Sequence, residues 1–165
     1  MKTNARMILL ALMLGLSLLL AACGGGGNAG GTTSGNAGGA GAGAATIDIA
    51  ADGENLAFDQ TALTATSGQE VTLNFQNTSA VQQHNWVLVN GGEDVAAPIA
   101  EAGLTAGASA DYLPADRANI IANTEVLDGG ESGSVTFTAP APGTYLYICT
   151  VPGHYPLMQG TLTVN

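Results

Sequence analysis

The chain has 165 residues, of which 46% are hydrophobic and only 10% charged, and 3 basic residues against 13 acidic ones give a formal charge of −10. So few cations cannot neutralise a phosphate backbone, so nucleic-acid binding is excluded. The acidity favours solubility and partners with a basic surface patch.

The first elements are those of an exported protein. Lys2 and Arg6 precede the apolar run Met7 to Ala22, which ends in small residues. This is the pattern of a signal peptide, expected over 1–22, and it is shorter than the ~20 apolar residues that span a bilayer. The tetrapeptide "LAAC", Leu20 to Cys23, resembles the lipobox of bacterial lipoproteins. Lipid on Cys23 would anchor the protein to the outer, extracytoplasmic (periplasmic) face of the cell membrane without spanning it. Removal of the leader leaves Arg117 as the one basic residue against 13 acidic ones, a formal charge of −12. Residues 23–45 form the expected lipid-anchored linker. From Gly24 to Ala45 its sequence "GGGGNAGGTTSGNAGGAGAGAA" has nothing to bury, and a flexible Gly-rich chain of this length reaches roughly 25 Å, at ~5–6 Å × √n.

Residues 46–165 suffice for one hydrophobic core. "TIDIA" and the alternating "EVTLNFQN" read as strands, separated by a turn at "TSGQ". "HNWVLVN" is a further strand, stopped by Gly91 and Gly92. "SGSVTFTA" and "GTYLYIC" follow, split by the turn "PAPG", and "GTLTVN" closes the chain. Short strands rich in Val, Thr, Ile and Tyr predict an antiparallel β-sandwich. The Ala-rich segment 93–126 suits loops and one short helix, inserted over the sandwich.

Beyond the leader and Cys23, the chain holds two histidines, His84 and His154, one cysteine, Cys149, and one methionine, Met158. Three of them fall in "CTVPGHYPLM", Cys149 to Met158, and the fourth opens "HNWVLV". An unpaired thiol in an oxidising compartment is a liability unless its sulfur is occupied. Thiolate and thioether are soft donors suited to Cu(I), and imidazole suits Cu(II). Two His and one Cys with a long axial Met make a blue-copper electron-transfer site. A geometry acceptable to both oxidation states changes little on electron transfer. Zinc takes four tight ligands, or three and water, and gains little from a thioether. Pro152-Gly153 can turn the chain so that His154 returns toward Cys149.

The segments "CTVPGHYPLMQGTLTV" and "HNWVLVN", with "DYLPADRANIIANTEV", "GGESGSVTF" and "GTYLYIC", resemble the azurin-type cupredoxins, blue type 1 copper proteins. The anchor-like start and Gly-rich tether are most similar to auracyanins, which are membrane-associated. The resemblance implies an all-β, Greek-key cupredoxin sandwich holding one copper ion near one end. His84, Cys149 and His154 would be equatorial ligands and Met158 the axial one. It further implies that Asn85 links the two ligand-bearing segments, that Trp86 packs the core, and that electrons pass through the exposed edge of His154. Val151, Pro152, Tyr155, Pro156 and Leu157 would surround that edge as an apolar docking patch. Two features depart from azurins: Gln83 stands where they have a glycine whose carbonyl approaches copper, and their N-terminal disulfide has no counterpart.

The function expected is a one-electron shuttle, a monomer working between membrane redox complexes, with a c-type cytochrome or a photosynthetic reaction centre among its partners. Copper nitrite reductases and multicopper oxidases need further histidines, and a dinuclear electron-entry centre needs a second cysteine in the loop, so an enzyme is not expected. A copper chaperone or storage lipoprotein would display surplus Met, His or Cys, which this chain lacks.

Overall fold

Period-two alternation of apolar and polar residues builds the sheets of this computed structural model, which describes residues 43–165. The leader, Cys23 and the Gly-rich stretch up to residue 42 lie outside the described residues. The strands are β1 (Ala45–Ala50), β2 (Ala62–Ala65), β3 (Glu70–Gln76), β4 (Val87–Val89), β5 (Ile120–Asn123), β6 (Ser132–Thr138), β7 (Gly143–Ile148) and β8 (Gln159–Val164), with one helix, α1 (Glu93–Ala106), between β4 and β5. In β3, Val71, Leu73 and Phe75 are buried while Glu70, Asn74 and Gln76 face solvent.

The strands form a three-stranded sheet, β1-β3-β6, and a five-stranded sheet, β2-β8-β7-β4-β5. The expected sandwich is present, but it is not wholly antiparallel: β1 runs parallel to β3, and β2 parallel to β8. Parallel neighbours need a crossover connection. Between β1 and β3 the crossover is supplied by β2, which lies in the opposite sheet. Leu63, Leu73, Phe75, Trp86, Leu88, Tyr147 and Leu162 fill the space between the sheets. Trp86 is fully buried and stacks on Tyr147 at 5.7 Å between ring centroids, while Phe58 meets Tyr147 edge-on at 5.3 Å.

Strand β4 is buried on both faces. Leu88 points into the sandwich, whereas Val87 and Val89 join Ala96, Ile99, Ala100 and Leu113 in a second apolar layer. Helix α1 therefore covers the outer face of the five-stranded sheet. At 14 residues it is longer than the short helix expected from sequence. Glu93 and Asp94 complement its N-terminal dipole, and it tolerates Pro98 and Gly103 because its inner stripe is packed. Gly103 is required sterically: a Cβ there would lie 2.1 Å from the Tyr112 carbonyl oxygen. The segment expected to be helix and loop also contains the edge strand β5, paired with β4.

Gly160 lies near the start of β8, opposite a bulky ring. It pairs with Tyr147 across the β7–β8 ladder, and a Cβ on it would come within 2.2 Å of the Tyr147 hydroxyl oxygen. That ring cannot retreat, since it is fully buried and its hydroxyl donates to the Gln60 carbonyl at 2.7 Å. Gly160→Ala should therefore overpack the core and lower unfolding free energy by about 1–3 kcal/mol or more. Urea denaturation of the two proteins measures the difference.

Candidate metal centre

The ladder between β7 and β8 ends where the site begins. Ile148 opposite Gln159 is its last pair, and the intervening loop carries Cys149, His154 and Met158. The loop is closed on itself by three backbone bonds: Cys149 N–H to Met158 O at 3.0 Å, His154 N–H to Val151 O at 3.0 Å, and Met158 N–H to His154 O at 2.9 Å. The second of these closes a turn with Pro152 and Gly153 at its centre. Gly153 has φ +83°, so Pro-Gly fits the positions that a type II turn assigns them, as the sequence suggested.

His84 arrives from the other side. The expected strand "HNWVLVN" is regular only over Val87–Val89, because its first residues break out of the ladder. His84 forms a lone bridge with Leu127, its N–H donating to the Leu127 carbonyl at 3.1 Å and its carbonyl accepting from the Leu127 N–H at 2.8 Å. Trp86 N–H bonds the Thr124 hydroxyl at 3.0 Å rather than a neighbouring strand. This break leaves Asn85 free to bond sideways. Its side-chain amide donates to the Thr150 hydroxyl at 2.8 Å and to the Asp111 carbonyl at 3.1 Å, and its carbonyl accepts the Thr150 N–H at 2.8 Å. Asn85 thus joins the His84 segment to the residue after Cys149, as the resemblance implied.

These two segments bring three donor atoms together. The Nδ1 atoms of His84 and His154 are 3.1 Å apart, and Cys149 Sγ lies 3.8 Å from the first and 3.4 Å from the second. A triangle with those sides has a centre about 2.0 Å from each corner, the length of a bond from imidazole to a first-row metal ion. His84 and Cys149 are fully buried, and Met158, also fully buried, lies in the same core cluster as Cys149. His154 retains 9% exposure, so it alone of the four reaches the surface. A thiol, two imidazoles and a thioether in a dry pocket are the donor set that suits a soft redox ion, and the triangle is the right size for one. The side chain of Gln83 turns away and donates to Asp128 Oδ1 at 2.6 Å.

Electrostatics follow from burial. Desolvation pushes the Cys149 thiol up to about 11, opposed by the backbone N–H groups of Asn85 and Val151, which bond the sulfur. Desolvation, reinforced by the neighbouring His154, lowers His84 to about 4, against a smaller opposing pull from Glu54, and burial also lowers His154. At neutral pH both rings are neutral and the thiol holds its proton. Thr150, Asp111 and Glu54 were not anticipated as supports. The residue after Cys149 carries some signal by its position, but the other two act across long stretches of chain.

Replacing Asn85 by Ala removes three hydrogen bonds and strands the buried Thr150 N–H and hydroxyl. Each stranded group costs about 1–3 kcal/mol, so Asn85→Ala should lose roughly 2–6 kcal/mol even without metal. Chemical denaturation of the metal-free proteins measures it.

Residues 45–165 match the family of copper binding proteins described as plastocyanin/azurin. The whole chain is 61% identical over 165 residues to auracyanin-A of Chloroflexus aurantiacus, covering 100% of both proteins. The solved structure of auracyanin A, a "blue" copper protein of that photosynthetic bacterium, superposes with a TM-score of 0.72 at 67% identity, over 73% of this chain and 98% of that one. Dithionite-reduced auracyanin of Roseiflexus castenholzii gives 0.71 at 56% identity, over 73% of this chain and 96% of that one. The donor triangle, the sandwich and these likenesses agree, and the chain belongs to the plastocyanin/azurin family of copper-binding proteins.

Proposed function

We propose that His84, Cys149 and His154, together with Met158, would hold one copper ion, and that the protein is a one-electron carrier tethered by lipid on Cys23 to the outer face of the cell membrane. The observation that carries the reading is the donor triangle, whose centre stands at bonding distance from all three atoms. Copper in such a site cycles between Cu(II) and Cu(I), accepting and releasing a single electron.

The chain's own residues supply the rest. Cys149 gives up its proton to bind as thiolate, while the Asn85 and Val151 N–H groups stabilise negative charge on the sulfur. The β7–β8 loop and the Asn85 bonds hold the donors in place, so no ligand has to move when the charge changes. Full burial of His84, Cys149 and Met158 excludes water and substrate, which suits a carrier and not an enzyme. His154 is the exit for the electron. Exposed Pro152, Pro156 and Leu157 flank it, and Leu157 shows 68% of its surface to solvent. A partner that docks there can exclude water over a small apolar area. Acidity elsewhere attracts the basic surface of a c-type cytochrome or membrane electron-transfer complex. The likeness to auracyanin A, a protein of a photosynthetic bacterium, supports a place beside photosynthetic complexes.

Cu(II) added to the metal-free protein at neutral pH should develop an intense thiolate-to-copper absorption band and release about one proton per ion, since Cys149 starts protonated and both rings neutral. Cys149→Ala should abolish both signals. A colourless protein that prefers zinc would refute the copper assignment. Separately, Cys23→Ser should move the protein from the membrane to the soluble fraction of cells, and retention on the membrane would rule out the lipid tether.

A further inference from the structure

The turn that delivers His84 has an unusual support. Residues Ser79 to Gln82 belong to no strand, yet each of their four backbone N–H groups has an acceptor. Ser79 N–H bonds Asn77 Oδ1 at 3.1 Å, and Ala80 N–H bonds Glu54 Oε1 at 2.6 Å. Val81 and Gln82 N–H bond the Ser79 hydroxyl oxygen at 3.1 and 2.8 Å. That hydroxyl in turn donates to Glu54 Oε2 at 2.9 Å, so the carboxylate polarises the oxygen that holds the next two amides. Gln82 Nε2 donates to the Glu54 carbonyl at 2.9 Å and to Glu54 Oε2 at 3.4 Å. From within, Asn77 Nδ2 bonds the carbonyls of Gln82 at 2.7 Å and Leu127 at 3.0 Å. Leu127 is also the backbone partner of His84.

Glu54 is therefore the carboxylate that holds a backbone amide of the turn, on a segment remote in sequence, whereas Asp128 takes only the Gln83 side chain. The segment is fastened alongside the turn, since Gly53 N–H bonds the Thr78 hydroxyl at 3.1 Å and that hydroxyl donates to the Ala51 carbonyl.

We propose that Glu54 is a positioning residue of the metal centre: its carboxylate fixes the Ser79–Gln83 turn that presents His84, and the negative charge held there biases copper toward the oxidised state. The sign follows from Coulomb's law. A fixed anion stabilises Cu(II) more than Cu(I), so it makes the one-electron reduction, Cu(II) plus an electron from the electrode giving Cu(I), less favourable. Two observations support it beyond the hydrogen bonds. The bonds from Ala80 and Ser79 hold the Glu54 carboxyl below its ordinary value, which keeps it ionised at neutral pH. Its charge also reaches His84, where it acts to favour the charged ring. His84 stands only two residues beyond Gln82, whose carbonyl Asn77 clamps, so a loosened turn displaces the imidazole directly.

The inference rests on His84 being a copper ligand. The test is a spectroelectrochemical titration of the copper-loaded protein through a mediator, with electron paramagnetic resonance of the oxidised form. Glu54→Gln keeps the size and removes the charge. At a fixed ambient potential it should raise the ratio of reduced to oxidised copper by roughly two- to fivefold, the range of a solvent-screened charge, and alter the copper hyperfine splitting. Glu54→Asp, which restores the charge, should return the ratio toward that of the parent. Glu70→Gln is the control, because Glu70 begins β3 and the strand separates it from the turn by roughly 20 Å at ~3.3 Å per residue. It removes an equal charge and should leave the ratio unchanged. A Glu54→Gln protein with the parent's ratio and spectrum overturns the proposal, as does an equal shift in Glu70→Gln. A parent protein that takes up no copper fails the ligand assignment instead, so the two failures are distinct.

Discussion

Three electron-pair donors aimed at one point inside a dry core are the constraint on which this molecule is organised. With Nδ1 of two imidazoles 3.1 Å apart and a sulfur within 3.8 Å of both, either a proton or a cation must lie between them. Water cannot relieve the crowding, because His84 and Cys149 have no exposed surface. Such an arrangement persists only if the surrounding fold over-determines it. The frame consists of the β7–β8 ladder, which sets where Cys149 leaves the sheet, and the Leu127 bridge, which sets where His84 enters. Asn85 is the strut between them. The donors are preorganised by bonds that do not involve a metal, which is the condition for a small structural change on electron transfer.

The same rigidity extends outward through side-chain packing. Trp86 follows His84 by two residues and lies in the sandwich against Tyr147, whose strand leads to Cys149. Gly160 gives the Tyr147 ring its space, and the hydroxyl of that ring is tied to Gln60. On the outer face, α1 and Leu113 seal Val87, Val89 and Ile148, so β4 and the end of β7 are clamped from both sides. Both segments that supply donors are therefore extensions of doubly buried strands. Helix α1 contributes no donor atom to the triangle; its effect on the centre passes through this packing.

Much of the centre was legible because it depends on residue types that the chain otherwise avoids. With two histidines and one cysteine beyond the leader and Cys23, the ligand set could be read by census, and Pro152-Gly153 announced its turn. Strands β3, β6 and β8 were legible through alternation, and β7 through its run of Tyr, Leu and Ile after the turn "PAPG". Other features depend on partners remote in sequence. The parallel pairing of β1 with β3 and β2 with β8 is set by which sheet each strand joins, and period-two patterning does not encode that. Strand β2, "ALTA", offers only Leu63 and Ala65 to the core, too little signal to stand out. Helix α1 was underestimated because Pro98 and Gly103 lower its intrinsic propensity, while the packing that compensates comes from β4 and β7. Strand-like "HNW" fails to pair because its polar groups find Leu127, Thr124 and Thr150 instead, and Glu54 carried no local sign of its role.

Two scales of interaction divide the work between the surface and the interior. The acidic excess acts over roughly the Debye length, about 8–10 Å at physiological salt, so it gathers basic partners without fixing how they sit. On the proposed function, contact at the short apolar rim around His154 would desolvate a small area and give a brief encounter. A carrier needs both properties, because a tightly bound partner would stop turnover and an unattracted one would seldom arrive. If attraction were supplied by ion pairs at the rim, each would have to be broken at every departure. On that reading, exposed Pro152, Pro156 and Leu157 beside His154 would separate release from the long-range attraction that governs arrival. Arrival should then depend on ionic strength, while transfer through His154 depends on how closely two apolar surfaces meet.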